Sequence, residues 1–262
     1  VPDSRPRIHH VEHVMGTVFS FVIQARRSRE LNLALAQAVA WLHHVDSRFS
    51  TYRPDSQISR LADGTLTLGE CDPVVSEVLA HCDALTEASG GWFTATPGGR
   101  LDPSGFVKGW AIERASTILH EAGFTDHYVN GGGDVQLRGE SAPGHPWRIG
   151  LNDPADRHRL VAVVSGRDLA VATSGVSERG HHIIDPLTGR PAGELAALTL
   201  VGRHLTEVDA LATAAFAMGD DAREWLRTRP DLEAFAVAHD GAVWWTPGLR
   251  DIAVLPQAPA LP

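Results

Sequence analysis

"HYVNGGGDVQLRG", residues 127–139, decides how the second half of this chain folds. It is a short β-like run punctuated by three consecutive glycines. Glycine reaches positive φ without steric cost, so the triplet marks a bulge, a tight bend or a close approach of backbone to a ligand. A simple hairpin turn explains it equally well. Further along lie "WRIGLN" (147–152), "LVAVVSG" (160–166), "DLAVATSG" (168–175) and "AALTLVG" (196–202). Each is short, β-like and punctuated by Gly, Asn or Asp, as strands are. "EAFAVAHDGAVWWT" (233–246) reads as a closing hairpin with Asp240-Gly241 as its two-residue turn.

The first half carries most of the helical spacing. After one alternating strand over 12–25, with Met15, Thr17, Phe19, Phe21 and Ile23 on one face, Leu31, Leu35, Ala38, Leu42 and Val45 form a helical stripe over 29–46. Residues 49–64 are polar and turn-rich. Asp72-Pro73 opens a second helix, since Asp suits the N-cap and Pro the first helical position. Its apolar face is Val75, Val78, Leu79, Cys82 and Leu85. A Gly/Pro-rich loop over 89–105 leads into a helix that begins near Phe106 or Val107 and stops before Gly123. Two more helices are expected, at about 206–218 and near 221–228. Strands cluster and helices cluster without regular βαβ alternation. That is the signature of an α+β fold, here a mixed, largely antiparallel sheet with packed helices. Residues 1–262 are read as a single domain, with two intimately packed lobes as a variant and 256–262 as a tail.

With 262 residues and 43% hydrophobic content, the chain can bury a substantial core. A net charge of -9, with no Lys/Arg run, argues against a nucleic-acid surface. An anionic ligand would then be met locally, by backbone N–H groups, a helix N-terminus or a metal. Two cysteines form no disulfide framework or thiolate metal site. No apolar run is long enough to span a bilayer, so no transmembrane segment is expected. No apolar leader core is visible at the N-terminus. A cytoplasmic location is the expectation; an exported or membrane-anchored protein whose leader has been removed is the alternative.

Several segments carry residues suited to chemistry. In "LDPSGFVKGWA" (101–111), Gly105 and Gly109 flank Lys108 at a loop-to-helix junction. Free N–H groups and the positive end of the helix dipole suit phosphate there, although the spacing is not a P-loop. A Gly-capped loop with a surface lysine is the plainer reading. In "VATSGVSERG" (171–180), Thr173, Ser174 and Gly175 end a strand with hydroxyl and N–H donors, residue types that turn chemistry also selects. In "TEVDALATAAFAMG" (206–219), Asp209 and Thr213 are four apart, so both oxygens share one helix face among small apolar residues. A buried Asp needs a partner. Carboxylate plus hydroxyl is a partial shell for Mg²⁺; an Asp favoured by the helix dipole is the other reading. "RGHHIIDPLTGRP" (179–191) sets His181 and His182 on opposite faces of a short strand, stopped by an Asp-Pro and Thr-Gly turn.

Taken in order, "MGTVFSF", "FSTYRPDSQISRL", "GGWFTAT", "LDPSGFVKGWA", "VNGGGD", "ATSG", "HHIIDPLTGRP" and "DALATA" resemble the ApbE family of FAD:protein FMN transferases, from Val14 to about Gly219. The resemblance implies that FAD is bound with Mg²⁺, that its pyrophosphate is cleaved, that AMP leaves, and that FMN is joined through its phosphate to a Thr or Ser of an acceptor flavoprotein. It implies a FAD site lined by Met15, Tyr52, Trp92, Thr94, Asp102, Lys108 and Ile183, with close contacts from Gly132, Gly133 and Ser174. Asp209 and Thr213 would hold the metal, with a backbone oxygen near Gly105 to Val107 as a further ligand. His182 would be the histidine beside the reacting phosphate, the side chain suited to take a proton near neutral pH. A FAD pyrophosphatase and a non-catalytic FAD-binding protein are the competing readings. The sequence departs from the family pattern in three places. Thr94 follows Phe93 where the family has Asp, Val176 and Ser177 follow "TSG" where an aromatic is common, and the loop between Thr96 and Leu101 is short.

Overall fold

The computed structural model describes residues 6–156, 158–175 and 183–256. Strands β1 (Arg7–Val14) and β2 (Thr17–Gln24) form a hairpin rather than the single strand expected over 12–25. Val14 pairs with Thr17, which leaves Met15 and Gly16 as a two-residue turn with φ of 54° and 69°. Positive φ at both positions gives the twist that suits tight hairpins. Thr17 onward keeps the expected alternation, and Phe19, Phe21 and Ile23 are buried.

Helix α1 (Arg29–Phe49) is capped by the Ser28 side chain, which accepts from Leu31 N–H at 3.1 Å. A short α2 (Gln57–Ala62), capped by Ser56, lies in the segment expected to be irregular. Helix α3 (Pro73–Ala88) begins as expected, with Asp72 accepting from Val74 N–H. Helix α4 (Ser104–Glu121) starts two residues before the expected boundary. The Asp102 carboxylate accepts from Ser104 N–H at 3.0 Å and so draws the first turn forward.

Strands β3 (His127–Gly131) and β4 (Asp134–Arg138) enclose Gly132 and Gly133, which form the two-residue turn of a hairpin with φ of 60° and 98°. There follow β5 (Trp147–Asn152), β6 (Leu160–Gly166), β7 (Ala170–Gly175), β8 (Leu195–Gly202), helices α5 (Leu205–Met218) and α6 (Ala222–Leu226), and strands β9 (Glu233–Ala238) and β10 (Val243–Trp245). The β9–β10 loop is longer than the expected two residues. Ala238 N–H donates to Ala242 O and Gly241 N–H to Ala238 O, so His239, Asp240 and Gly241 make the turn. Helix α7 (Leu249–Ile252) and β11 (Ala253–Val254) close the described chain; most of the expected tail lies outside the described residues.

Eight strands form one sheet in the order β1-β2-β3-β4-β7-β8-β9-β10, and β11-β6-β5 form a second. Among the described residues every pairing is antiparallel, within the α+β class expected. Alternation along the large sheet sorts its side chains onto two faces. Phe19, Phe21, Val129, Ala172, Leu198, Leu200 and Ala236 pack with α1, α3, α4 and α5. Val171, Val201, Phe235 and Val237 pack with the small sheet and α7, and Val22, Val135 and Leu137 with Trp147. Burying each such Leu or Phe contributes about 1.5–3 kcal/mol.

Strand β4 breaks this apolar rule on its helix-facing side. Val135 and Leu137 face the small sheet, so Asp134 and Gln136 point toward the helices, where both are buried. Gln136 Oε1 accepts from Leu205 N–H at 3.0 Å, and its amide donates to the carbonyls of Leu169 and Arg203. It thereby satisfies a free N–H at the start of α5, where His204 makes no side-chain cap. This bond fixes the end of α5 that carries Asp209. No helix among the described residues is long and apolar enough to cross a membrane.

Candidate active site

Helices α4 and α5 cross closely at Gly109. A Cβ there would lie 2.7 Å from Asp209 Cβ, so only glycine fits the approach. Gly109 N–H donates to Asp209 Oδ2 at 2.8 Å. The other carboxylate oxygen, Oδ1, stands 3.5 Å from Lys108 Nζ. Lys108 reaches from α4 to β4 and contacts Asp134 Oδ2, while Asp134 Oδ1 accepts from Thr173 N–H at 2.9 Å. Asp134 is 1% exposed and Asp209 4%. Burial pushes the Asp209 carboxyl up to about 7, against the pull of Lys108 and with the added push of Asp134.

Two buried carboxylates therefore share one ammonium in this cluster. Thr213, one turn beyond Asp209, donates its hydroxyl to Asp209 O at 3.3 Å and lies 3.5 Å from Ser174 Oγ on β7. The first turn of α4 touches it, since a Cβ on Gly105 would lie 3.7 Å from Thr213 Oγ1. The donors here are hard oxygens, with a negative charge in excess of the local ammonium. That chemistry fits Mg²⁺ rather than a soft metal. No group of three His, Cys, Asp or Glu side chains among the described residues is arranged for a metal. A cation here would add backbone, water or substrate oxygens to Asp209 and Thr213.

The structure brings Gly105, Lys108, Ser174, Asp209 and Thr213 together. Gly132 packs on Thr17 and donates its N–H to Val18 O at 3.2 Å, so the β3–β4 turn lies against the start of β2, beside the Met15 turn. Asp102 stands at the N-terminus of α4. Thr94 bonds within its own loop, accepting from Thr96 N–H at 3.0 Å. Trp92 is half-buried against the main core, and Ile183 is buried in it. Tyr52 is 85% exposed on the loop after α1. His181 and His182 lie outside the described residues, as do Val176 and Ser177. The turn that follows them forms as expected. Asp185 accepts from Leu187 N–H at 2.8 Å, and Gly189 N–H donates to Asp185 O.

Asp134 is not among the residues the sequence leads one to expect at the site, which in this segment are the glycines before it. The available signal was period-two polarity: Asp134 and Gln136 alternate with Val135 and Leu137. Gly109 is legible only as a flank of Lys108, because its role in admitting Asp209 depends on the crossing of two helices distant in sequence.

A family model described as "ApbE family" matches residues 15–99 and 94–236. Curated relatives named FAD:protein FMN transferase include one from Rhodobacter capsulatus, 31% identical, with 68% of this chain and 36% of the relative covered. One from Vibrio cholerae serotype O1 is 32% identical, with 46% and 39% covered. One from Escherichia coli K12 is 27% identical, with 59% and 48% covered. The chain thus spans 36–48% of the length of these relatives. The solved ApbE protein of Thermotoga maritima has a TM-score of 0.82 at 23% identity, covering 94% of this chain and 99% of that one. The solved flavin transferase ApbE of Vibrio cholerae has a TM-score of 0.80 at 22% identity, with the same coverage. Both are likenesses of fold.

Proposed function

The chain belongs to the ApbE family, and from that premise we propose that it is a Mg²⁺-dependent FAD:protein FMN transferase. The observation that carries the proposal is the pair of buried carboxylates, Asp134 and Asp209, about the half-buried Lys108, with Thr213 one turn on. It gives a place where an anionic phosphate and a divalent cation complete a charge balance that the side chains leave open.

In this reading FAD lies over the ends of β2, β3 and β7, with Met15, Tyr52, Trp92, Thr94, Asp102 and Ile183 along its length. Gly132 and Gly133, which lack side chains, let the ligand approach the backbone closely, and Ser174 offers a hydroxyl. Lys108, anchored on Asp134, presents positive charge to the pyrophosphate. Asp209, Thr213 and a backbone oxygen near Gly105 would hold Mg²⁺, which would supply charge neutralisation at the phosphate oxygens. The hydroxyl oxygen of an acceptor Thr or Ser bonds to the FMN phosphorus. AMP departs with the electron pair of the broken bond, and His182 takes the hydroxyl proton. A hydroxyl is a poor nucleophile while it keeps its proton, so a base is needed there in a way that binding alone does not need.

The test is incubation with FAD, Mg²⁺ and a candidate acceptor flavoprotein. Flavin fluorescence on the denatured acceptor band, with release of AMP, is the expected result. Free FMN with AMP and an unlabelled acceptor would make the chain a pyrophosphatase, and unchanged FAD would make it a binding protein.

A further inference from the structure

We propose that Asp134 is a positioning residue that holds the Lys108 ammonium away from Asp209, so that Asp209 Oδ1 stays available to a divalent cation. The inference rests on Asp209 being a cation ligand. Lys108 Nζ lies between two carboxylates but is shared unequally, in contact with Asp134 Oδ2 and 3.5 Å from Asp209 Oδ1. Asp134 is a rigid anchor. It sits on a strand, is 1% exposed, and its second oxygen accepts from Thr173 N–H at 2.9 Å. Asp209 is held by its Oδ2 through Gly109 N–H, which leaves Oδ1 as the oxygen that ammonium and cation would contest.

Lysine is a point charge on a flexible stem, so its ammonium goes where the local field directs it. With the Asp134 charge removed, Coulomb attraction in this buried setting draws Nζ the remaining distance onto Asp209 Oδ1. A direct ammonium–carboxylate pair there competes with a metal for the same lone pairs. Asp134 therefore acts on the cation through Lys108 and does not need to touch it.

The test uses Mn²⁺ alone as the probe, followed by loss of the free-ion electron paramagnetic resonance signal, on the whole chain without FAD. Asp134→Asn is expected to weaken Mn²⁺ binding by about tenfold or more, as coupled neighbouring charges do. The double variant Asp134→Asn with Lys108→Met is expected to recover wild-type affinity or better, because the competing ammonium is gone. A merely structural role for Asp134 would leave the double variant as weak as the single one, and that result overturns the proposal. If Asp134→Asn does not fold, the double variant decides alone, since a charge-neutral replacement that still loses the metal excludes action through Lys108. Asp209→Ala separates this failure from that of the underlying reading. A wild type that does not bind Mn²⁺, or an Asp209→Ala variant that binds it as well as the wild type, overturns the cation site itself and this inference with it.

Discussion

Asp209 carries a charge that its surroundings resist. Burial lifts its carboxyl to about 7 even with Lys108 nearby, so the ionised form gains from any further positive charge. If Mg²⁺ and FAD meet at this oxygen, each tightens the other by the same factor, because coupling free energy is reciprocal. Calorimetry is expected to show Mg²⁺ tightening FAD binding in the wild type and not in Asp209→Ala, with Thr213→Ala intermediate because water replaces a neutral hydroxyl. Equal tightening in wild type and Asp209→Ala would return Asp209 to a structural role. The base at the phosphate has its own test. His182→Ala is expected to keep FAD affinity and slow transfer by about a hundredfold or more, while His181→Ala does much less. Reversed effects would show that His181 faces the phosphate. At this scale the sequence was legible where the pattern is local. Asp209 and Thr213 declare themselves by being four apart on a helix of small apolar residues. Asp134 does not, because its meaning depends on Lys108 crossing from another element.

Elements were legible where caps and periodicity agreed, as at Asp72-Pro73, and misread where one pattern hid another. Met15 continues the alternation of Thr17, Phe19 and Phe21, so 12–25 resembles a single strand. Its φ of 54° is a conformation that non-glycine residues seldom take, and only Gly16 beside it hinted at a turn. At 239–241 the Asp-Gly pair is part of a longer, three-residue loop closed by Ala238 and Ala242. The α4–α5 crossing is the element-scale feature on which the site depends. Gly109→Ala would place a methyl 2.7 Å from Asp209 Cβ, in a contact that includes helix backbone as well as side chain. Overpacking of this kind costs about 1–3 kcal/mol, and more where backbone must move. The urea midpoint is expected to fall, and Mg²⁺-linked FAD binding to fall with it, since the bond from Gly109 N–H to Asp209 is lost as the helices part. A variant as stable as the wild type would mean that the helices separate freely and that the close crossing is not required.

The layered plan of the whole molecule followed from the clustering of strands and helices, but the membership of each sheet did not. After β4 the chain leaves the large sheet, builds β5 and β6 on its far side, and returns at β7. Nothing in the local composition of "WRIGLN" or "LVAVVSG" tells which sheet it joins. The helix layer and the large sheet are tied together at His127, the first residue of β3, which is fully buried. Its Nδ1 faces Phe124 O at 2.7 Å and its Nε2 faces Ser116 Oγ, on α4, at 2.8 Å. A carbonyl only accepts, so Nδ1 carries the proton and Nε2 accepts from the serine in the neutral ring. Burial lowers the pKa of His127 from its ordinary 6.5 to about 4. Between those two values the unfolded chain takes up a proton that the folded chain refuses, so stability rises with pH across that window. The contribution is complete above pH 6.5 and is lost as the pH falls toward 4, to a limit of about 3 kcal/mol. Protonation would also turn Nε2 into a donor and break the acceptor bond to Ser116. His127→Gln keeps a neutral polar side chain and has no such titration. Urea unfolding at steps from pH 7 to 4 is expected to show the wild type losing stability faster than His127→Gln, with their difference shrinking as the pH falls. Parallel curves across that range would mean that His127 takes its proton in the folded chain as readily as in the unfolded one, and that the tie between α4 and β3 is not what acid breaks.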